Sequence, residues 1–338
     1  MKVAVVTPYY KEDAAILRQA HDSVRRQTRP CHHVLVADGH PQDEPARWQA
    51  TQLALAASHG DNGNTPRGIG AMMAACQGFD AIAFLDADNW YEPDHVESLV
   101  VLHEATGAAV CTSGRLLVGI DGAVLDPHDR HVDGWRFVDT SCFLLTRAAF
   151  RVLPFWLNLP AVYAPTNDVY FLMTLAAGGV SLAHTGRPTM AFRSYYGIHY
   201  VRAGRPVPQA ARRDLAAITR AKLAWCGLAP SDKAALLACH LTPAERDAFV
   251  ATSERGSTRA PTTAFRLRLN SHVTEIEETQ IRNPLLLEAK GRLSRPAGGG
   301  QDNLAAAERI LNTLLLTFPD DSHALDLRRR LDDLGRKR

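Results

Sequence analysis

Asp86 and Asp88 are the residues of this chain with the clearest chemical potential. They close the run Ala81-Ile82-Ala83-Phe84-Leu85-Asp86-Ala87-Asp88, and Asn89 follows. A short apolar run bounded by polar residues reads as a buried strand. Asp86 then stands at the strand's C-terminal end and Asp88 just past it, where open α/β sheets bind their ligands. Two carboxylates one residue apart repel each other unless a cation lies between them. A divalent ion with oxygen ligands, itself carrying substrate phosphates, is the natural partner. The pair has a plainer reading too, with Asp86 capping a turn and Asp88 solvated, so the other strand ends have to decide.

Those ends carry polar signals of their own. Thr7-Pro8-Tyr9-Tyr10 follows the apolar, β-branched run Val3–Val6, and Asp38-Gly39 closes the run Val34-Leu35-Val36-Ala37. Asp168 comes later, at the start of an apolar helical pattern from about Val169 to Ala177 that Gly178-Gly179 terminates. Three polar strand ends in register on one sheet edge describe a site.

The elements needed to hold that edge are legible. Ile16, Leu17, Ala20 and Val24 recur at helical spacing between Asp13 and Arg26, with Asp13 as N-cap. Strand, helix and strand within the first forty residues make a βαβ unit and predict a parallel sheet. The Gln- and Ala-rich stretch Ala46–Ala57 predicts a helix, and Gly60–Gly70 reads as turn throughout. A helix is expected from about Pro93 to Glu104 and a strand at Ala108–Thr112. Asp121-Gly122 predicts a hairpin between Arg115–Val118 and Ala123–Leu125. From Gln209 onward nearly every pattern is helical, including Pro243–Ser253 and a final pair at Leu304–Leu315 and Ser322–Leu334.

Length and composition set the frame. A chain of 338 residues predicts two domains. We divide it into residues 1–205 and an all-helical 206–338, with linkers near 256–263 and 296–302. A formal charge of +2 makes no global case for nucleic acid. Basic residues lean towards the second half, which suits an acidic acceptor or a membrane surface as well as a solvated helix face. The six cysteines form no CxxC pair and no disulfide framework, so they read as reduced thiols of a cytoplasmic protein. No h-region follows Met1-Lys2, and no apolar stretch is long enough to span a bilayer.

Taken together, these motifs resemble the GT-A fold glycosyltransferases, specifically the inverting family 2. The resemblance covers about residues 1–205. Thr7-Pro8-Tyr9-Tyr10 matches the family's opening strand and loop, and Ala37-Asp38-Gly39-His40 its Asp-containing second turn. Arg67 matches the basic residue of its Gly/Asn-rich stretch, Asp86-Ala87-Asp88 its metal motif, and Asn167-Asp168 the usual Glu-Asp pair. Ala37, His40 and Asn167 depart from the family's residues at those places.

The resemblance implies a mixed, mainly parallel sheet between helices and a metal-dependent transfer of a sugar from a nucleotide diphosphate, UDP favoured, to a hydroxyl of a glycan or other acceptor. It implies that Asp88 ligates Mn²⁺ or Mg²⁺, that Asp86 joins it at the metal or contacts the ribose or a metal-bound water, that Ala87 lies in the donor site between them, and that His199 completes the metal shell or else is a structural histidine. Asp168 would take the acceptor's proton, or else cap its helix, or both. Asp38 would accept from the base, or serve only as a turn aspartate; Thr7, Pro8 and Tyr9 would line the base pocket, with Tyr9 equally open to ordinary packing. Arg67 would pair with a phosphate or a metal-site aspartate, or stand solvated. Trp135, Trp156 and Tyr163 are candidates for an acceptor wall or for core packing. Two rival readings remain: a nucleotidyltransferase, which lacks its usual Gly-rich basic loop here, and a lapsed transferase domain serving as a scaffold. Association through the helical half is also open.

Overall fold

The structure, a computed structural model, describes residues 1–211, 215–238, 241, 272–294, 300–318 and 320–336. Its strands are β1 (Val3–Tyr9), β2 (Cys31–Ala37), β3 (Thr51–Ala54), β4 (Ala81–Phe84), β5 (Trp90–Tyr91), β6 (Val110–Val118), β7 (Val124–Asp126), β8 (Phe143–Thr146) and β9 (Leu182–Arg193). They form one sheet in the order β3-β2-β1-β4-β8-β6-β9-β5, with β7 beside β6. β3, β2, β1 and β4 run parallel, β8 runs against both β4 and β6, and β9 returns parallel to β6. β1 is buried along its whole length, which is why it reads as an unbroken apolar run rather than an alternating one.

Three parallel strands end together. Tyr9 faces Ala37 across β1 and β2, and Val6 faces Phe84 across β1 and β4. The Asp38 amide donates to the Tyr9 carbonyl at 2.7 Å, and the Leu85 amide to the Val6 carbonyl at 3.0 Å. Asp38 and Asp86 are therefore brought to one rim by backbone register alone.

The helices close over this sheet. α1 (Ala14–Arg25) is capped by Asp13, whose side chain accepts from the Ala15 amide at 2.8 Å. α2 (Asn64–Cys76) begins where a turn was expected: Gly63, at φ +78, takes the left-handed N-cap position, and Pro66 is tolerated in the first turn. Its glycines serve packing. A Cβ on Gly70 would stand 2.7 Å from Val6 Cγ1 and 2.8 Å from Val36 Cγ2, so only glycine lets the helix lie this close to the sheet. α3 (His95–Thr106) packs on β6 and β9. α4 (Phe155–Asn158), α5 (Asn167–Ala177) and α6 (Gly197–Arg202) follow.

Two expectations fail for a tertiary reason. Ala46–Ala57 is a 3₁₀ turn at Pro45–Arg47 followed by the edge strand β3. The free backbone groups of β2 and the half-buried Leu53 and Leu55 outweigh helix propensity there. β9, with Thr185-Gly186-Arg187-Pro188 in its middle, escaped the pattern; the ladder to β6 shifts register between Thr112 and Arg115 to accommodate that segment. The hairpin at Asp121-Gly122 is present between β6 and β7, with Gly122 at φ +81.

The described C-terminal residues are helical, at Ala216–Cys226 (α7), Pro230–Leu237 (α8), Asn283–Ser294, Gly300–Thr317 and Ser322–Arg336. The expected helix at 243–253, the linker at 256–263 and residues 296–299 of the second linker lie outside the described residues, while Gly300–Asp302 already belong to a helix. This helical region shares the sheet's core: Trp225 packs on Tyr170 with ring centroids 4.7 Å apart, and Ile276, Ile281 and Leu285 are buried in the same cluster. No helix among the described residues is long and apolar enough to cross a membrane. Cys31, Cys76, Cys111, Cys142 and Cys226 are free thiols.

Candidate active site

A cleft of about 510 Å³ opens over the C-terminal ends of the parallel strands. Pro8 and Tyr9 reach it from β1, Asp38 from the turn after β2, and Asp86, Ala87 and Asp88 from the turn after β4; Arg67 comes from α2 and Asp168 from α5. Residues scattered over more than 160 positions of the chain thus share one cavity. Ser141 holds the central turn in place, its hydroxyl accepting from the Asp86 amide at 3.0 Å and from Asn89 Nδ2 at 3.1 Å.

Arg67 is buried and committed. Its Nη2 donates to Asp86 Oδ1 at 2.6 Å, its Nη1 to Asn64 Oδ1 at 3.2 Å, and its guanidinium lies 4.8 Å from the Trp156 ring centroid. It is therefore not solvated but paired with Asp86. Asp88 is half-buried and no cationic side chain pairs with its carboxylate among the described residues. Burial pushes its carboxyl up to about 7, and the charges of Asp86 and Glu12 act in the same direction. Burial also pushes Asp168 up to about 7, followed by the charge of Asp139 and, more weakly, that of Asp86. The Val169 amide donates to Asp168 Oδ1 at 2.8 Å, so this carboxyl also serves the start of its helix.

The donor set of Asp86 and Asp88 is all oxygen and carries uncompensated negative charge. It suits Mg²⁺ or Mn²⁺ better than a metal that prefers nitrogen or sulfur. Among the described residues no group of three or more His, Cys, Asp or Glu could hold an ion, so the two carboxylates fit a cation that takes its remaining ligands from phosphate and water.

Residues 4–163 match glycosyl transferase family 2. Over these residues the chain is similar to that family. A curated relative, the succinoglycan biosynthesis protein ExoW of Rhizobium meliloti (strain 1021), is 35% identical over 108 residues, covering 28% of this chain and 32% of ExoW. The chain thus aligns with about a third of that relative's length. Among solved structures, S. aureus TarS 1-349 superposes with a TM-score of 0.50 at 12% identity, over 100% of this chain and 92% of that one. A TarS 1-349 complex with UDP-GlcNAc superposes at 0.49 with 13% identity over the same shares. The fold is GT-A.

Two expected residues take other places. Thr7 does not reach the cleft. Its side chain is fully buried and bonds His33 Nε2 at 2.9 Å, and His33 in turn meets His21 Nδ1 at 2.9 Å. Pro8 and Tyr9, nearer the end of β1, are the residues that reach the cleft, with Pro8 beside Gly63. His199 does not join the aspartate pair either. It lies in α6 with Nδ1 bonded to Ser194 Oγ at 2.7 Å, outside the cleft lining, and burial followed by the charge of Arg115 pushes its imidazole down to about 4. The acceptor wall dissolves in the same way. Trp156 and Tyr163 are core residues, whereas Trp135 is exposed and stacks on His272 with ring centroids 3.5 Å apart. Tyr9 does line the cleft, although most of its ring packs with Leu17, Leu35 and Trp48.

Asp38 is more tightly held than a turn aspartate needs to be. It accepts from the His59 amide at 3.1 and 3.2 Å, from His59 Nδ1 at 2.7 Å and from Ser58 Oγ at 3.3 Å. Gly39 makes this possible. It sits at φ +76, and a Cβ there would stand 2.4 Å from the Ser58 nitrogen. Gly39→Ala is expected to push the Ser58-His59 segment off Asp38 and cost about 1–3 kcal/mol of stability. Denaturant titration reads that loss, and an unchanged midpoint contradicts the packing described.

Two cleft residues were not singled out from sequence. Arg193, the last residue of β9, donates from Nε to the Asp88 carbonyl at 3.2 Å and from Nη2 to Gln19, and its guanidinium lies over the Trp90 ring. None of these acceptors is a carboxylate. Asp139 lines the cleft with its charge balanced from behind, since Arg115 Nη1 donates to it at 2.6 Å and a second Arg115 nitrogen pairs with Asp129 at 2.9 Å. An arginine ending a strand next to Ser194-Tyr195-Tyr196 was a faint signal for the first; nothing in the pattern marked the second.

Proposed function

We propose that this chain is a metal-dependent, inverting glycosyltransferase that moves a sugar from a nucleotide diphosphate, UDP favoured, to a hydroxyl of a glycan or similar acceptor. The observation that carries this reading is the meeting of Asp86, an uncompensated Asp88 and Asp168 in one cleft.

Asp38, steadied by His59, accepts a hydrogen bond from the ring N–H of the base, which favours a uracil-like edge, and Tyr9 with Pro8 walls that pocket. Arg67 orients Asp86, and Asp86 with Asp88 would hold the Mn²⁺ or Mg²⁺ between protein and diphosphate. When bound, such an ion neutralises charge that builds on the departing nucleotide diphosphate. Arg193 adds a guanidinium to the same end of the reaction. Asp168 takes the proton from the acceptor hydroxyl as its oxygen attacks the anomeric carbon from the face opposite the diphosphate. With Asp139 tied to Arg115 and the Asp86–Asp88 pair assigned to the ion, Asp168 serves as the base in this reading, which suits one displacement and hence inversion. Residues 1–205 are the catalytic unit in this reading; 206–338 shape the acceptor side or mediate association, and the protein works in the cytoplasm.

Incubation of the purified chain with Mn²⁺ and a panel of UDP-sugars tests the proposal through UDP release, with calorimetry of UDP and Mn²⁺ beside it. Release of UDP from one donor is expected; a chain that binds neither UDP nor Mn²⁺ in the presence of the other is a lapsed scaffold. Arg193→Gln keeps the neutral contacts and removes the charge. It is expected to weaken UDP affinity about tenfold while leaving uridine affinity unchanged, the scale of one charge-assisted hydrogen bond.

A further inference from the structure

Asn64 does not itself line the cleft, yet it stands between the two groups to which the proposed reaction assigns the chemistry. It is the first residue of α2 and is wholly buried. Its Oδ1 accepts twice: from Arg67 Nη1 at 3.2 Å and from Asn167 Nδ2 at 2.6 Å. Arg67 goes on to Asp86 at 2.6 Å. Asn167 opens α5 and is followed directly by Asp168. A carbonyl oxygen has two lone pairs, and both are used here. The contact joins residues 103 positions apart in the chain.

We infer that Asn64 is a positioning residue that makes the orientation of Asp86 and the placement of Asp168 interdependent. Beyond Asp86 and this bridge Arg67 has few acceptors: among the described residues its Nε is buried with no hydrogen-bond partner, as is Asn64 Nδ2. A buried guanidinium with so few acceptors is aimed by the ones it has. Moving α5 outward stretches the Asn167–Asn64 bond, tips the shared oxygen away from Nη1, and frees the fork to turn on Asp86. Moving Asp86 acts along the same bonds in reverse. An oxygen with two lone pairs and no charge does this without competing for the arginine, whereas a carboxylate at 64 would draw Arg67 from Asp86. Such coupling is reciprocal.

The inference rests on the proposed function for its consequences but not for the bridge itself, and the test separates the two. In the ligand-free full chain, Asn64→Ala, Asn167→Ala and the double variant form a denaturation cycle. The bridge predicts a double variant no less stable than the worse single one, and strictly additive losses overturn it. Calorimetry with UDP and Mn²⁺, and separately with uridine, then reads the positioning role. Asn64→Asp preserves the size and the acceptor oxygen, which guards against a simple folding failure of the alanine variant. It is expected to weaken UDP–Mn²⁺ binding about tenfold and to leave uridine binding within about twofold. A folded Asn64→Asp variant with parental UDP–Mn²⁺ affinity overturns the positioning role, as does an equal loss for uridine. A parent chain that binds no UDP sinks the functional reading instead, while the denaturation cycle still decides the bridge.

Discussion

Asp88→Asn is expected to lower Mn²⁺-dependent UDP release by about 10²–10³-fold. The reason lies in what surrounds Asp88. Arg67 neutralises Asp86, but among the described residues no cation neutralises Asp88, and its carboxyl is pushed up to about 7 by burial beside Asp86 and Glu12. An ion of charge +2 relieves that cost; an amide offers a weaker oxygen and no charge. Because no side chain among the described residues bonds the Asp88 carboxylate, the substitution should leave the fold intact. Initial rates over a Mn²⁺ titration provide the measurement. Turnover equal to that of the parent at every Mn²⁺ concentration defeats the metal assignment.

Asp168→Asn is the second large effect. Removing a positioned general base lowers transfer by about 10²–10⁴-fold, and because Asp168 makes no part of the proposed nucleotide pocket, UDP affinity should stay within about twofold. The pH dependence carries a sign. With its carboxyl up at about 7, Asp168 is protonated and idle in acid, so the parent's transfer rate should rise with pH and level off above 7. Folding stability runs the other way. The folded value lies above the unfolded one, near 3.9, so the group favours folding below the unfolded value and loses that contribution as pH rises through 7. Asp168→Asn should therefore be more stable than the parent at pH 8 and lose that advantage towards pH 4. A flat rate profile between pH 5 and 8, with acceptor saturating, counts against Asp168 as the base.

Much of the arrangement was legible because it is local. Asp86, Asp88 and Asp38 fall at strand ends, and parallel strands in register bring their ends to one rim whatever covers the sheet. Asp13 caps α1 by accepting from the Ala15 amide two residues on, and the Gly122 hairpin is likewise settled within a few residues. The helix that carries Arg67 lay beyond such reading. Its stretch looks like turn because Gly63, Pro66, Gly68 and Gly70 crowd it, but those glycines answer to Val6, Val36, Trp156 and Leu157 far along the chain. The same holds for β3, where an Ala- and Gln-rich segment becomes strand because the edge of β2 was open to it.

His199 and Thr7 mark the boundary from the other side. Each has the right residue type at a suitable place in order, and each is claimed by a different partner, Ser194 in one case and His33 in the other. What the amino-acid order determined by itself was the sheet's parallel run, the acidic turns at its rim and the helical character of the second half, since these follow from periodicity and nearest neighbours. What only tertiary structure decided was which side chains face the cleft, that Arg193 and Asp139 join them, and that Asn64 ties α2 to α5. Those depend on side-chain direction and on contacts between residues 24 to 174 positions apart, and no local pattern encodes them.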